Sequence, residues 1–396
     1  MSEAVQEREA AVVTPVGVVV ESVETFVVRH DLAADEQFEY SQYGYNDRTL
    51  LLCRITTSDG NVGWGEAFGP ALIHKVTIDS VYAPLVIGRS PFDAEVVWDL
   101  LYNRLRDHGQ KGLSIEAISA IDIALWDLKG KITGLPVWAL MGGKKRDRVR
   151  PYATGLYRRG GKDEIERLAA EAVSYIERGF TAVKVKIGFG FDYDVAAVRA
   201  VRRAIGDDAG IMVDANHAYN ASTAIQLGKR IEEYRIGWFE EPVPPEDIDG
   251  YCEVKAALSI PVAGGEAEFT RYGFHHLLQA RAVDILQPDC TVTGGISEFL
   301  KIVTLATIHN IEVCPHVWGS AIAMHVALHL ALVLPEFPPR LYPEDVQLEF
   351  DQTANVFRTS LACRPLVQKD GYIAAPTLPG LGVEVDTDLI EHHRIA

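Results

Sequence analysis

The spacing of apolar residues changes along the first third of the chain, from strand-like to helical. Three segments are rich in β-branched residues and partly alternate between apolar and polar positions, as half-buried strands do: residues 18–28, 50–56 and 62–67. Apolar positions then recur at helical spacing over residues 96–106 and, with more matches, over 114–131. Three strands followed by helices predict a separate α+β domain, which we place at residues 16–145.

From residue 149 onward, short apolar runs alternate with helical stretches. The apolar runs predict eight strands, at residues 150–154, 182–187, 210–214, 237–240, 262–266, 283–287, 312–315 and 346–350. The helical stretches between them include residues 162–178, 192–205, 221–234, 250–257 and 296–309. Such alternation predicts an α/β domain of the (β/α)8-barrel type over residues 146–350. The alternative, an open doubly wound sheet, would lack eight regular units.

The two ends of the chain fall outside both predicted domains. Residues 1–15 lack the basic start and apolar core of a secretory signal, so we expect a disordered extension there. Residues 351–396 contain several prolines and glycines and no further strand–helix unit. We expect this C-terminal segment to pack back on the α+β domain and to complete it.

The charge of the chain limits the partners that we expect. The net charge is −17, and without a basic run or a basic helix face this argues against nucleic acid and against an anionic membrane. It does not exclude an acidic substrate, because a bound cation can invert the local field. Five scattered cysteines without a Cys-x-x-Cys motif fit reduced thiols, and together with the missing signal they favour a cytoplasmic protein.

Three acidic residues, Asp214, Glu240 and Glu266, follow one another at equal steps of 26 residues, each at the polar end of an apolar run. A strand, a helix and two short loops add up to about one such step, so the spacing predicts successive β–α units. A single carboxylate at a strand end is more often a helix cap. Three oxygen ligands converging from neighbouring strands instead suit a hard divalent cation. Glu241 is interpreted as structural.

Two lysines lie two positions apart on one predicted strand, so that Lys184 and Lys186 face the same side. Their repulsion should lower the pKa of one of them and make a neutral amine available as a base. The alternative is a pair of surface lysines whose stems cover apolar surface. The apolar neighbours Val183, Val185 and Ile187 argue against it, because they indicate a buried strand.

Asp289 and His316 end the sixth and seventh predicted barrel strands. A carboxylate that holds one imidazole nitrogen fixes the tautomer, and the other nitrogen is then available as an acid or a base. A metal on the three carboxylates would stabilise the charge that develops when the carbon beside a substrate carboxylate loses its proton. Bases on two faces, Lys186 and His316, would permit either inversion at that carbon or elimination of a β-substituent.

Taken together, these motifs resemble the enolase superfamily and, within it, the mandelate racemase and muconate lactonizing enzyme subgroup. The resemblance covers nearly the whole chain and depends on residues 62–67, 120–130, 184–186, 214–216, 239–242, 265–266, 287–289 and 315–316. It implies a modified barrel with an N-terminal capping domain. It also implies a set of roles: Asp214, Glu240 and Glu266 as Mg²⁺ ligands, Lys186 with its neighbour Lys184 and the His316–Asp289 dyad as acid–base groups, and Glu349 as a hydrogen-bond partner of the substrate carboxylate.

The resemblance places substrate selection in loops of the capping domain, here residues 35–49 and 68–72. The four aromatic residues of the first loop form either a lid or ordinary packing against the barrel mouth. Residues 186–190, 214–219, 263–266, 284–289 and 315–319 are similar to those of cycloisomerases that act on galactarolactone or 3,6-anhydrogalactonate. The candidate substrate contacts are Asn216, His217, Trp318, Tyr43 and Tyr45.

The function that the resemblance implies is Mg²⁺-dependent isomerisation of an acid sugar or its lactone, with a ring oxygen as the leaving group. A dehydratase that loses water from the same intermediate is the nearest alternative, and a racemase or epimerase is the next. A barrel that binds sugar acids without catalysis belongs to a different class, and it would have no need for an intact set of bases. The resemblance also implies a homo-oligomer.

Overall fold

The computed structural model describes residues 17–336, 338 and 340–396, so the extension predicted for residues 1–15 lies outside the described residues. The capping domain is built on an antiparallel sheet in the order β1 (Val20–Asp31), β4 (Asp47–Thr57) and β5 (Val62–Ala67). β1 and β4 are longer than the sequence pattern predicts, because their ladder continues past the apolar residues to Asp31 and Asp47. Between them lies a two-stranded ribbon of β2 (Phe38–Glu39) and β3 (Gly44–Tyr45).

Five helices among the described residues belong to the capping domain, and the longest of them packs on β4 and β5 of this sheet. They are α1 (Ala71–Thr77), α2 (Ala83–Val86), α3 (Ala94–Leu105), α4 (Leu113–Thr133) and α5 (Val137–Leu140), with a π-helical turn at Ile78–Tyr82 and a 3₁₀ turn at Pro91–Asp93. The long helix α4 approaches β5 so closely that a Cβ added at Gly65 would lie 1.9 Å from the carbonyl oxygen of Ala120. Glycine is therefore required at this position of the Gly-Trp-Gly motif.

The second domain is a curled parallel sheet surrounded by helices. Its strands are β6 (Arg148–Thr154), β7 (Ala182–Lys186), β8 (Gly210–Asp214), β9 (Ile236–Glu240), β10 (Val262–Gly264), β11 (Ile285–Leu286), β12 (Glu312–Val313) and β13 (Gln347–Asp351). Each strand from β6 to β11 pairs with its successor, and β13 pairs with β6. The prediction of a barrel-type fold is confirmed, and this sequential order excludes the doubly wound alternative, which reverses direction within its sheet.

Helices connect these strands on the outside of the barrel. They are α6 (Glu164–Glu177), α7 (Phe191–Ile205), α8 (Ala221–Ile231) with a 3₁₀ turn at Glu232–Tyr234, α9 (Ile248–Ala257), α10 (Thr270–Ala280), α11 (Gly295–His309) and α12 (Ala321–Val333). Neither α10 nor α12 is among the predicted helical stretches. Almost all of α12 is buried, so it is apolar on every side and lacks the period that marks an amphipathic helix.

The C-terminal segment packs on both domains, and not on the capping domain alone. It contains α13 (Val356–Thr359), β14 (Ile373–Ala374) and α14 (Thr387–His393). β14 pairs antiparallel with β6 of the barrel, and the backbone of Ile395 donates to the carbonyl of Val27 in β1. No single helix among the described residues is long and apolar enough to cross a membrane, although Ala71–Val86 and Pro91–Leu105 pass the length and composition test as one bent pair.

Two buried histidines of α12 hold this segment against the barrel. The Nδ1 atom of His325 and the Nε2 atom of His329 each lie 3.1 Å from the carbonyl oxygen of Leu381. The backbone N–H of Trp138 donates to Nδ1 of His329, so His329 is neutral with its proton on Nε2. Burial lowers the pKa of His325 to about 4 and that of His329 to about 3.

We expect this pair to make folding sensitive to acid. Both pKa values are lower in the folded chain than the ordinary value of 6.5, so only the unfolded chain takes up these protons as the pH falls below 6.5. Their stabilisation is complete above pH 6.5 and is lost towards pH 4 and 3. Urea unfolding at pH 7 and pH 5 should show a loss of about 2 kcal/mol per histidine relative to a His325→Asn/His329→Gln variant. Equal losses in both proteins would contradict this expectation.

Candidate active site

The three evenly spaced carboxylates converge at the carboxyl ends of neighbouring barrel strands. Asp214 ends β8, Glu240 ends β9 and Glu266 follows β10. One oxygen of each lies within 4.8 Å of an oxygen of the other two. Asp214 and Glu240 are fully buried, and Oε2 of Glu266 has no hydrogen-bond partner among the described residues. Buried carboxylates so close together repel one another unless a cation compensates them, so this cluster is suited to a metal ion.

Lys184 compensates part of this charge from inside the barrel. Its Nζ lies 2.6 Å from Oε1 of Glu240 and 2.7 Å from Oε1 of Glu349, and its side chain is fully buried. Burial alone lowers the pKa of this ammonium, but the two carboxylates outweigh burial and raise it well above 10.5. Lys184 is therefore a permanent cation at the floor of the site.

Lys186 forms an ion pair with Asp214 and donates to Oδ1 of Asn216 at 3.0 Å. Burial lowers its pKa most, but Asp214 together with Glu266 and Glu240 outweighs burial, so the net change is upward. The prediction that the pKa of Lys186 is lowered overall is therefore wrong, although Lys184 does act in the lowering direction. Repulsion between the two lysines is present, but it is weaker than attraction to Asp214. Any group that neutralises Asp214 will therefore lower the pKa of Lys186.

His316 and Asp289 form a hydrogen-bonded dyad on the other side of the cluster. Nδ1 of His316 lies 2.7 Å from Oδ2 of Asp289, and the backbones of the two residues form an isolated parallel bridge. The backbone N–H and the hydroxyl of Thr291 both donate to Oδ1 of Asp289, which fixes the carboxylate. Because the carboxylate accepts, Nδ1 is the donor, and Nε2 points towards Oε2 of Glu266 at 3.4 Å.

The charge around His316 favours its protonated form. Burial lowers the pKa of the imidazole, but Glu266, Glu349 and Asp289 outweigh burial and raise it to about 10. Lys186 and His316 flank the carboxylate cluster. Lys186 lies beside Asp214, and His316 lies beside Glu266.

Glu349, the central residue of β13, already accepts hydrogen bonds on both oxygens. Oε1 accepts from the hydroxyl of Thr154 and from Lys184, and Oε2 accepts from the backbone N–H of Val317. Burial raises the pKa of this carboxyl, but Lys184 and His316 outweigh burial and lower it. It is thus a charged acceptor inside the site, and its bonds to protein groups compete with a bond to substrate.

Sequence reasoning missed two supports of Glu240. The side-chain amide of Gln287 and the indole N–H of Trp238 each donate to Oε2 of Glu240 at 2.8 Å. Gln287 stands in the Gln-Pro-Asp motif two positions before Asp289 and directly after β11, and its place in that motif was the available signal.

The five candidate substrate contacts have different surroundings. Asn216 is buried and accepts from Lys186, whereas Nε2 of His217 is 3.0 Å from Oε2 of the buried Glu241. Burial lowers the pKa of His217. Tyr43 and Tyr45 approach each other to 3.1 Å between hydroxyls. Tyr45 also packs on Trp318, the fifth candidate, with 5.1 Å between the two ring centroids.

The aromatic loop, residues 35–49, which we call the lid, is attached to the barrel through its backbone and through the side chains of Ser41 and Gln42. The backbone N–H of Glu39 donates to the carbonyl of Arg158. Ser41 donates to the carbonyl of Ala215 at 2.8 Å, and Gln42 donates to that of Asn216 at 2.8 Å. The lid therefore touches the backbone directly after β8, the strand that ends at Asp214.

A buried arginine that sequence reasoning did not identify supports the base of this lid. The guanidinium of Arg48 lies 5.0 Å from the ring of Phe38 and 4.9 Å from that of Trp318, and it donates to the carbonyl of Ala354. Phe38 itself is buried packing. Tyr43 and Tyr45, by contrast, line a cavity of about 230 Å³ together with Arg48 and Trp318.

Comparison with known proteins agrees with this geometry. Residues 22–142 match the family described as mandelate racemase / muconate lactonizing enzyme, N-terminal domain, and residues 167–389 match the enolase C-terminal domain-like family. The chain belongs to the mandelate racemase and muconate lactonizing enzyme family of the enolase superfamily, as its motifs predict.

Three relatives refine this class. D-galactarolactone cycloisomerase of Agrobacterium fabrum is 44% identical over 374 residues, which are 94% of this chain and 98% of that protein. The structure of 3,6-anhydro-D-galactonate cycloisomerase from Zobellia galactanivorans is 40% identical, with a TM-score of 0.86 and coverage of 96% and 100% of the two chains. A mutant L-talarate/galactarate dehydratase from Salmonella typhimurium LT2, liganded with Mg and L-glucarate, is 28% identical with a TM-score of 0.85 and coverage of 98% and 95%.

Proposed function

We propose that this protein is a Mg²⁺-dependent cycloisomerase of an acid sugar or its lactone. The observation that carries the proposal is the placement of Lys186 and of the His316–Asp289 dyad at the two ends of one carboxylate cluster. A site of this form places a base on each side of a carbon whose carboxylate is held at the cluster.

Asp214, Glu240 and Glu266 would hold the metal. All three donors are carboxylate oxygens, the type that Mg²⁺ prefers, and Oε2 of Glu266 is buried without a hydrogen bond. When bound there, the cation supplies positive charge that stabilises the negative charge developing on the substrate carboxylate.

The chain's own residues move the protons. Lys186 or His316 removes the proton α to the carboxylate, and the electron pair of that C–H bond expels the ring oxygen from the β-carbon as the C–O bond breaks. The leaving oxygen takes up a proton. The enol that remains loses its hydroxyl proton and is protonated at the β-carbon, which gives an α-keto acid. Because the leaving oxygen remains part of the same molecule, the product is an isomer of the substrate.

A dehydratase is the second candidate, since the same residues would expel a free hydroxyl as water. Sequence identity favours cycloisomerisation: the two cycloisomerases are 44% and 40% identical over nearly their whole length, whereas the Mg-liganded dehydratase is 28% identical. An epimerase would use the same two bases without any leaving group.

Proton NMR of acid sugars and their lactones, incubated with protein and Mg²⁺ in deuterated water, tests the proposal. We expect the C2 proton of one substrate to disappear and a product of the same composition to form, and a chelator should stop both. A product that lacks one water would indicate the dehydratase, and exchange with inversion alone would indicate an epimerase. No exchange with any cyclic or open acid sugar would overturn the proposed function.

A further inference from the structure

Two buried carboxylates of the capping domain contact the barrel just beyond the two members of the dyad. Glu66 in β5 is fully buried, and Asp122 in α4 is 2% exposed. Neither lies among the residues that the proposed chemistry uses. They belong to the two capping-domain motifs of the sequence, at residues 62–67 and 120–130.

Glu66 caps the helix that follows His316. Its Oε1 accepts from the backbone N–H of Ser320 at 2.9 Å, and its Oε2 accepts from the Ser320 hydroxyl and from the backbone N–H of Ala323 at 3.2 Å. These are orphan donors at the start of α12, whose partial positive charge favours a carboxylate. A Cβ at Gly319 would lie 2.4 Å from Oε1 of Glu66, so glycine there permits the close approach.

Asp122 caps the helix that follows Asp289 in the same way. Its Oδ2 accepts from the backbone N–H of Ser297 at 2.9 Å, and its Oδ1 accepts from the Ser297 hydroxyl at 2.6 Å. Ser119, one turn earlier in α4, accepts from the backbone N–H of Gly294 at 2.9 Å. Again a glycine makes room, because a Cβ at Gly295 would lie 2.4 Å from Oδ2 of Asp122.

We propose that Glu66 and Asp122 are positioning residues for the His316–Asp289 dyad, so that the capping domain sets the geometry of the barrel's acid–base pair. The catalytic part of this proposal rests on the proposed function. Each short segment, from His316 to Ser320 and from Asp289 to Ser297, is held by a barrel strand at one end and by a capping-domain carboxylate at the other. A shift at either cap therefore changes the 2.7 Å contact between Nδ1 of His316 and Oδ2 of Asp289.

Kinetics of Glu66→Gln and Asp122→Asn test the catalytic part. We expect kcat to fall about tenfold or more with little change in KM, because a misplacement of about 1 Å can cost about 10²-fold in rate. The matched control is Asp127→Asn, which removes another buried carboxylate of α4. Asp127 accepts from the backbone N–H groups of Trp64 and Leu381, and so ties the C-terminal segment instead of the dyad. It should lower the melting temperature and preserve kcat.

A spectroscopic measurement decides the geometric part even if no acid sugar is turned over. In protein labelled with ¹⁵N-histidine, the Nδ1 proton of His316, assigned with His316→Asn, reports its bond to Asp289. We expect Glu66→Gln and Asp122→Asn to shift this resonance and Asp127→Asn to leave it in place.

The same measurements can overturn the proposal. The proposal is overturned if the His316 resonance is unchanged in the Glu66 and Asp122 variants, or if it changes equally in these two variants and in Asp127→Asn. If the first two variants fail to fold, Ser320→Ala and Ser297→Ala each remove one hydroxyl donor and provide the same readouts. If the wild-type protein turns over no acid sugar but the Glu66 and Asp122 variants shift the His316 resonance as expected, only the proposed function is refuted.

Discussion

Replacing Lys186 by methionine should lower turnover by about 10²–10⁴-fold, the usual contribution of a positioned general acid or base. The change keeps most of the side-chain volume and removes the amine beside Asp214. The carboxylate keeps the backbone N–H of Asn216 at 2.9 Å, and Lys184 lies 3.8 Å away, so we expect the chain to fold. His316→Asn should cost a similar factor from the other side of the cluster.

Exchange of the α-proton in deuterated water separates the two roles. The variant that lacks the first base should lose both exchange and turnover, whereas the variant that lacks the second should keep exchange and lose turnover. Lys131→Met is a matched control, because it breaks another lysine–aspartate pair, with Asp127 at 2.7 Å, outside the site. Full turnover in both Lys186→Met and His316→Asn would contradict the mechanism.

Replacing Lys184 by methionine should destabilise the fold by about 3–5 kcal/mol, the cost of breaking a buried ion pair from one side. Glu240 and Glu349 would then remain buried within the barrel without the cation that joins them. Urea unfolding without added metal measures this loss directly.

A second substitution gives the control for this prediction. Lys184→Met combined with Glu349→Gln should recover part of the lost stability, because one of the two uncompensated charges has gone. A free energy of unfolding for Lys184→Met equal to that of the wild type would show that Lys184 is not the counter-ion of these carboxylates.

Strand ends were predictable because a barrel strand combines an apolar run with a polar end at fixed spacing. That pattern located Asp214, Glu240 and Glu266 before any coordinates were known, and the structure brings their oxygens together. The sign of the Lys186 pKa shift was not predictable in this way. It depends on how burial and Lys184 balance against the carboxylates of Asp214, Glu266 and Glu240, which is a matter of distances across strands.

Contacts between distant parts of the chain could not be predicted from the sequence either. Arg48, Glu66 and Asp122 are charged residues in apolar or irregular surroundings, and a one-dimensional pattern interprets such residues as exposed. Their hydrogen-bond partners lie 175 or more positions away along the chain, 306 positions for Arg48 and Ala354 and 175 for Asp122 and Ser297. The helix α12 was not predicted for the opposite reason. A helix that is buried on every side has no polar face, so its sequence shows no helical period of apolar and polar residues.

The way the lid is attached bears on how easily this enzyme could evolve. Its hydrogen bonds to the barrel come from Glu39, Ser41 and Gln42, which precede the tip, while Arg48 anchors the chain after it. Tyr43 between these anchors is 56% exposed, so its side chain can be exchanged at little cost in stability. Directed evolution of substrate range would therefore begin at Tyr43, where new chemistry can be sampled while the fold of the lid is retained.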